Sequence, residues 1–231
     1  MFLTYYSSMI ILIPAIIFAM VAQASVKKSF AKYSKVRNMR NLSGAEAARR
    51  VLDANGLNDV VINKVPGNLS DNYNPKNRTL NLSQEVYNGK TISAVSVACH
   101  EVGHAIQHSR NYLPLTLRNS VVPVVSFASS ASWPLIFIGI IMSTQSVMGG
   151  MLFDIGIITF AVVVAFHLIT LPVELNASSR AINQMEESYI VTGEEINGSK
   201  KVLRAAAMTY VAALAVAAAN LIRLLLIRGN R

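Results

Sequence analysis

The sequence has few charged residues for its length. Of 231 residues, only 14% are charged, while 52% are hydrophobic and the mean hydropathy is +0.41. This balance is too apolar for an ordinary soluble domain, and it indicates a membrane protein.

Cysteine is nearly absent. Cys99 is the single cysteine, which excludes an intrachain disulfide and fits a reducing compartment. Although Cys99 precedes His100, neighbouring residues on a helix point to different faces. We therefore predict that Cys99 packs in the apolar side of a helix.

Acidic residues are also scarce. There are 12 Asp and Glu against 21 Lys and Arg, which gives a formal net charge of +9. The basic residues flank the apolar segments, where they suit the anionic headgroups of a lipid bilayer. We therefore expect the bilayer to be a partner and expect no interaction with nucleic acid.

Long apolar segments, by contrast, are present. Residues 6–24, 121–142, 152–173 and 205–226 are each long enough, at roughly 20 residues, to cross a bilayer as a helix. The predicted organisation is an N-terminal transmembrane anchor (1–24), a water-facing domain (25–120), a two-span hydrophobic hairpin (121–173), a second polar segment (174–204) and a C-terminal hydrophobic helix (205–231).

The distribution of basic residues predicts the orientation in the membrane. No basic residue precedes the first apolar segment, whereas Lys27, Lys28 and Lys32 follow it. Because basic flanks stay inside, residues 25–120 are predicted to be cytoplasmic, and residues 174–204 return to the same face.

Two features compete with this topology. Ala22-Gln23-Ala24 resembles a signal-peptidase site, but the charge asymmetry favours a retained anchor. The C-terminal Arg223, Arg228 and Arg231 would lie outside, against the positive-inside rule. Either charges near the C-terminus have little influence on the orientation, or the last apolar segment does not fully cross the bilayer.

Local signals predict both helices and strands in the water-facing domain. Capping-box spacing starts a helix at Ser43, and alternating apolar residues indicate strands. The predicted elements are a helix from Ser43 that ends at Asn55-Gly56, strands at 60–62 and 79–82, turns at 66–67 and 71–75, and a helix over 91–109.

The stretch HEVGHAIQH, residues 100–108, contains three of the four histidines. His100 and His104 are four residues apart, so both imidazoles project from one helix face, about 40° apart. With Glu101 between them they form the H-E-x-x-H arrangement, in which two histidines bind zinc and the glutamate acts as general base. The alternative is a set of solvated polar residues at a helix end.

A catalytic zinc needs a third protein ligand and an open position. The class that continues as H-x-x-G-x-x-H is excluded, because Gln107 and Arg110 replace the glycine and the histidine. Glu174, where the chain returns to the same face, is the predicted third ligand, with His167 as a competitor. An ordinary charged residue at the membrane boundary is the other interpretation of Glu174.

His108 is a weaker candidate for the metal site. It is rotated about 80° from His100, too far to join the same tetrahedral site without distortion. We interpret His108 as a residue that supports the site or lies at the surface.

HEVGHAIQH and ELNASSRA (174–181) together resemble the membrane-bound neutral zinc metallopeptidases called YugP-like. The chain is also distantly similar to HtpX and CAAX-prenyl type membrane zinc proteases. The resemblance implies a mainly α membrane protein with about four transmembrane helices and a small α+β zincin-like cytoplasmic domain. It further implies one catalytic Zn²⁺ at His100, His104 and Glu174, with Glu101 as base, in a bacterial cytoplasmic membrane.

The HtpX and CAAX-prenyl type proteases usually have an aspartate four residues after the glutamate ligand, where this chain has Ser178. A serine can still hydrogen-bond a ligand imidazole, but more weakly than a carboxylate. Arg180 is a candidate partner for the carbonyl oxygen in the transition state, and a plain surface arginine is the alternative.

These features predict a membrane-anchored zinc endopeptidase acting on unfolded or membrane-associated polypeptides. The strand at 79–82 is expected to offer an edge to which an extended substrate adds. The alternatives are a catalytically silent zinc-binding scaffold or chaperone partner, for which Glu101 is unnecessary, and an intramembrane protease. Small residues in 205–219 allow helix packing within the chain or in a homo-oligomer.

Overall fold

The computed structural model describes residues 8–67, 70–142 and 146–229. The chain is mainly helical with one small sheet. Its helices are α1 (Leu12–Tyr33), α2 (Gly44–Ala54), α3 (Gln84–Asn88), α4 (Ile92–Ser109), α5 (Leu113–Met142), α6 (Val147–Glu187) and α7 (Glu195–Gly229), and its strands are β1 (Val61–Val65), β2 (Asn72–Asn74) and β3 (Thr79–Ser83).

The chain divides into two compact units. The first, here called the apolar unit, comprises residues up to Val21, Thr116–Leu171 and residues from Thr209 onwards. The second, the mixed unit, comprises Ala22–Leu115 and Pro172–Met208. The predicted five-part organisation of the chain stays a prediction.

In the described part of the chain, four helices, α1, α5, α6 and α7, are long and apolar enough to cross a membrane. The predicted spans at 121–142, 152–173 and 205–226 fall within α5, α6 and α7; residues 6 and 7 of the first predicted span lie outside the described residues. Many large apolar side chains on these helices are exposed, as expected for surfaces that face lipid.

Within the apolar unit, α6 and α7 are joined by an ion pair. Arg228 donates to both carboxylate oxygens of Asp154, at 2.5 and 3.0 Å. This bidentate pair compensates one of the C-terminal positive charges that conflict with the positive-inside rule. The last apolar segment belongs to one continuous helix, α7.

The sheet of the mixed unit has the strand order β1-β3-β2, with β1 parallel and β2 antiparallel to β3. The expectation that residues 79–82 form an edge is therefore wrong, because β3 is the central strand and its backbone groups pair on both sides. The turn predicted at 71–75 is also wrong in part. Pairing with β3 holds Asn72–Asn74 extended despite their turn-favouring composition.

Helix α2 begins as predicted. The Ser43 hydroxyl accepts from the backbone N–H of Glu46, and the Glu46 carboxylate accepts from the backbone N–H of Ser43. This capping box satisfies two backbone donors that would otherwise lack partners. Gly56, at a φ of +70°, reverses the chain just past the helix end.

Helix α4 is the central element of the mixed unit. Its cap is the hydroxyl of Thr91, which accepts from the N–H of Ala94. Cys99 is fully buried in the core between α2, α4, β3 and α6, which confirms the predicted packing role. A helix covered on most sides has little freedom to rotate, so the direction of its polar side chains is well determined.

Candidate metal centre

His100 and His104 lie one turn apart on α4 and face the same way. Their rings are 4.9 Å apart between centroids and meet edge to face. Only 14% of the His100 side chain and 11% of the His104 side chain is exposed. Two imidazoles so close together and so shielded from water require polar partners.

Glu174 on α6 provides such a partner. Its Oε2 atom lies 3.3 Å from Nε2 of His100 and 3.5 Å from Nε2 of His104, and only 5% of its side chain is exposed. Each of the three residues offers one ligand atom within 4.8 Å of the others, and no other such group of three occurs in the described part of the chain. The competing candidate, His167, is not in this group.

The geometry fits a zinc ion. Ligand atoms bound at about 2.0–2.1 Å in a tetrahedron lie about 3.3–3.4 Å from one another. The two distances between the imidazole nitrogens and the carboxylate oxygen, 3.3 and 3.5 Å, are close to that spacing. Two imidazoles and one carboxylate are also a donor set of catalytic zinc, with a fourth position left for water or substrate.

Gln107 determines how His104 is oriented. The Gln107 amide nitrogen donates to the backbone carbonyl of Val173 at 2.8 Å and to Oδ1 of Asn176 at 3.0 Å. Its oxygen is therefore the atom that faces Nδ1 of His104, at 3.0 Å. Since an amide oxygen only accepts, Nδ1 of His104 donates, and Nε2 is left as the nitrogen that faces Glu174.

His100 has a different supporting contact. The hydroxyl of Ser178 lies 3.2 Å from Nδ1 of His100. The structure thus brings Ser178, four residues after Glu174, next to this imidazole. A neutral hydroxyl orients the ring but adds less to the basicity of its other nitrogen than a carboxylate does.

Arg180 belongs to the same network, one step further from the histidines. Its Nε donates to Oδ1 of Asn176 at 2.7 Å, and its guanidinium lies 5.8 Å from the ring centroid of Tyr112. Because Asn176 also accepts from Gln107, a continuous chain of hydrogen bonds joins Arg180 to His104. The role of Arg180 toward substrate stays a prediction.

His108 is directed toward the sheet. Its Nδ1 lies 2.9 Å from the hydroxyl of Tyr73 on β2, and the two rings are 5.8 Å apart. It is not in the group with Glu174. The contact links β2 to the helix that contains the two ligand candidates.

Charge at the centre favours a cation. Burial opposes a positive charge on His104, but the hydrogen bond with Glu174 and the nearby carboxylate of Glu101 outweigh it and raise the pKa of the imidazole. The carboxylates that stabilise an imidazolium would also stabilise a divalent metal ion in its place. Glu101, next to His100 on α4, is partly exposed and accessible to water.

Sequence reasoning missed Gln107 and Asn176 as parts of the centre. In the sequence, Gln107 was used only to exclude the class of zinc protease that has a glycine at this position. Its position three residues after His104 on a helix, within reach of that side chain, is the signal that could have identified it. The contact with Asn176 joins two distant segments and has no local signature.

These features are typical of a membrane zinc peptidase, and comparison with known proteins agrees with that class. The chain belongs to the family described as "Putative neutral zinc metallopeptidase", whose family model matches residues 8–229. It is 49% identical over 210 residues to "Putative membrane protease YugP" of Bacillus subtilis (strain 168), covering 90% of this chain and 91% of that protein. No solved structure matches the chain. The resemblance inferred from the motifs is thereby confirmed.

Proposed function

We propose that this protein is a membrane-anchored, zinc-dependent endopeptidase with a zincin-like catalytic domain. One zinc ion is held by His100, His104 and Glu174, and Glu101 is the general base. The observation that supports this most directly is the 3.3 and 3.5 Å spacing of the imidazole nitrogens from one carboxylate oxygen. A structural site would need ligands but no adjacent base.

The two glutamates have different roles because their surroundings differ. Glu174 is buried between the imidazoles, so its carboxylate is occupied as a ligand. Glu101 is more exposed, so its carboxylate can meet a water molecule beside the two histidines. The residue within the H-E-x-x-H arrangement is therefore assigned to proton transfer.

A zinc ion at this site would polarise the substrate carbonyl and make water a stronger acid. Glu101 removes a proton from the attacking water, whose oxygen adds to the carbonyl carbon. Glu101 then donates that proton to the departing amine nitrogen as the carbon–nitrogen bond breaks. Gln107 and Ser178 contact the Nδ1 atoms and hold the imidazoles in place, so that Nε2 of each histidine would be available to a metal ion beside Glu174.

The edge of β2 replaces β3 as the proposed docking strand for an extended polypeptide. No described strand pairs with the outer edge of β2, and Tyr73 in this strand contacts His108, one turn beyond His104. Backbone pairing along a strand edge requires an extended conformation of the bound polypeptide but depends little on its sequence. Unfolded or membrane-associated polypeptides are accordingly the proposed substrates.

The proposed location is the bacterial cytoplasmic membrane, with the metal centre facing the cytoplasm. The basic residues that follow the apolar part of α1 support this orientation through the positive-inside rule. A homo-oligomer packed through the small residues of 205–219 is a further proposal.

The test compares purified wild type with Glu101→Gln for zinc content and for cleavage of a fluorescently labelled unfolded protein. Glu85→Gln, the same substitution at an exposed position of α3, is the control. We expect all three proteins to contain zinc and only Glu101→Gln to lose cleavage. Equal cleavage by Glu101→Gln would remove this residue from the mechanism, and wild type without zinc would contradict the metal site.

A further inference from the structure

The mixed unit contains a basic cavity that the proposed peptidase reaction does not use. It lies between α1 and α7 and has a volume of about 380 Å³. Three lysines and one arginine line it, together with two serines: Lys28, Lys32, Lys201, Arg204, Ser25 and Ser29. We propose that this cavity binds the phosphate headgroup of an anionic phospholipid.

The lining of the cavity does not compensate its positive charge. Among the residues that the structure describes, no acidic side chain lines the cavity. Within the described ranges, none of the four cations has a carboxylate at ion-pair distance, whereas the neighbouring Lys200 pairs with Glu186 at 3.6 Å. Four like charges around one cavity repel one another, so an anion bound among them is favoured.

The side chains that line the cavity are of the types that bind phosphate. Arginine and lysine side chains bind phosphate oxygens through charge-assisted hydrogen bonds, and arginine can do so with two parallel bonds. The hydroxyls of Ser25 and Ser29 add neutral donors on the α1 side. The volume is in the range of small-molecule sites, which begins at roughly 300 Å³, and it suits a headgroup.

The position of the cavity along α1 and α7 favours a lipid over free phosphate. In α1 the basic residues follow the apolar run of the helix, and in α7 Lys201 and Arg204 come just before the apolar run that begins at Ala205. Ala205 and Met208, in the first turn of that run, also line the cavity, as does Tyr33 at the end of α1. The cavity therefore has cations beside an apolar wall, which matches a phosphate attached to acyl chains.

The experiment measures lipid binding to the full chain in a neutral detergent by native mass spectrometry. The probes are phosphatidylglycerol, phosphatidylcholine and inorganic phosphate. We expect phosphatidylglycerol to bind at least tenfold more tightly than the other two. Equal binding of phosphatidylcholine would contradict the requirement for net negative charge, and equal binding of inorganic phosphate would show a phosphate site in place of a lipid site.

The cavity variant is Lys28→Gln/Lys201→Gln/Arg204→Gln. Its matched control, Lys27→Gln/Lys35→Gln/Arg40→Gln, removes the same number of lysines and arginines from exposed positions that do not line the cavity. A cation near an anionic membrane surface contributes roughly a factor of five to affinity, so the cavity variant should bind phosphatidylglycerol roughly 100-fold more weakly. The control should bind within roughly threefold of wild type.

Equal losses in both triple variants would overturn the proposal, because they would show general attraction to a basic surface. Zinc content and thermal unfolding of each variant show whether it is folded, and the single substitution Arg204→Gln replaces the triple variant if the latter does not fold. The binding measurement is repeated on Glu101→Gln, which separates lipid recognition from peptidase activity.

Discussion

Gly103 lies so close to Ala177 that a side chain could not fit between them. A Cβ atom on Gly103 would be 2.5 Å from the carbonyl oxygen of Ala177 and 3.1 Å from its carbonyl carbon. Glycine in the middle of a helix costs about 1 kcal/mol relative to alanine. Here it allows the backbones of α4 and α6 to approach closely next to the candidate metal ligands. Gly103 lies between His100 and His104 on α4, and Ala177 follows Glu174 on α6.

Gly103→Ala should therefore disrupt the metal centre. The added methyl group must move α6 away from α4, which we expect to lower the free energy of unfolding by about 1–3 kcal/mol and to reduce zinc content. Gly150→Ala is the control, since a Cβ at Gly150 in α6 meets nothing within 4 Å. Normal zinc content in Gly103→Ala would show that the close approach is not needed for the site.

Glu174→Ala should abolish zinc binding at micromolar zinc. It removes one of three ligands and leaves two imidazoles facing each other. The loss of zinc affinity should exceed the 10–100-fold typical of residues that only support a ligand. Zinc titration with a chromophoric chelator measures it, and Glu187→Ala, at an exposed position on the same helix, is the control. Retained affinity in Glu174→Ala would exclude this glutamate as ligand.

Gln107 and Ser178, which support the two imidazoles, should differ in their effect on zinc affinity. Gln107→Leu removes the buried acceptor of His104 Nδ1 and should lower zinc affinity about 10–100-fold. Ser178→Ala removes the contact between the serine hydroxyl and His100 Nδ1, which is 3.2 Å long, whereas the contact of Gln107 with His104 is 3.0 Å long. The Ser178→Ala variant should therefore lose less zinc affinity. Zinc titration of both variants tests the order. A larger loss in Ser178→Ala would reverse our view of which contact orients the site.

Cys99 should be unreactive while the protein is folded. Burial raises the pKa of its thiol to about 12 and excludes reagents. At pH 8, where an ordinary thiol is partly ionised, Cys99 therefore stays protonated and inaccessible. Iodoacetamide labelling followed by mass spectrometry should detect modification only after unfolding in denaturant. Rapid labelling of the folded protein would contradict the packing of α4 in the core.

Many of the helices could be predicted from patterns among residues close together in the sequence. The capping box at Ser43 and the periodicity before His100 involve residues within one or two helical turns, so the helix starts and the direction of the imidazoles could be predicted. Strand β2 was missed for the opposite reason. Its extended conformation depends on pairing with β3, and its own Asn-rich composition favours a turn.

By itself the sequence determined the apolar helices, the H-E-x-x-H pattern and the family, because these depend on hydrophobicity and spacing along one chain segment. Only the tertiary structure decided which strand is an edge and that Gln107 and Asn176 support His104. It brought Glu174 within 3.5 Å of both imidazoles and placed Gln107 between His104 and Asn176. These relationships depend on how closely α4 and α6 pack, and that distance depends on contacts between residues far apart in the chain.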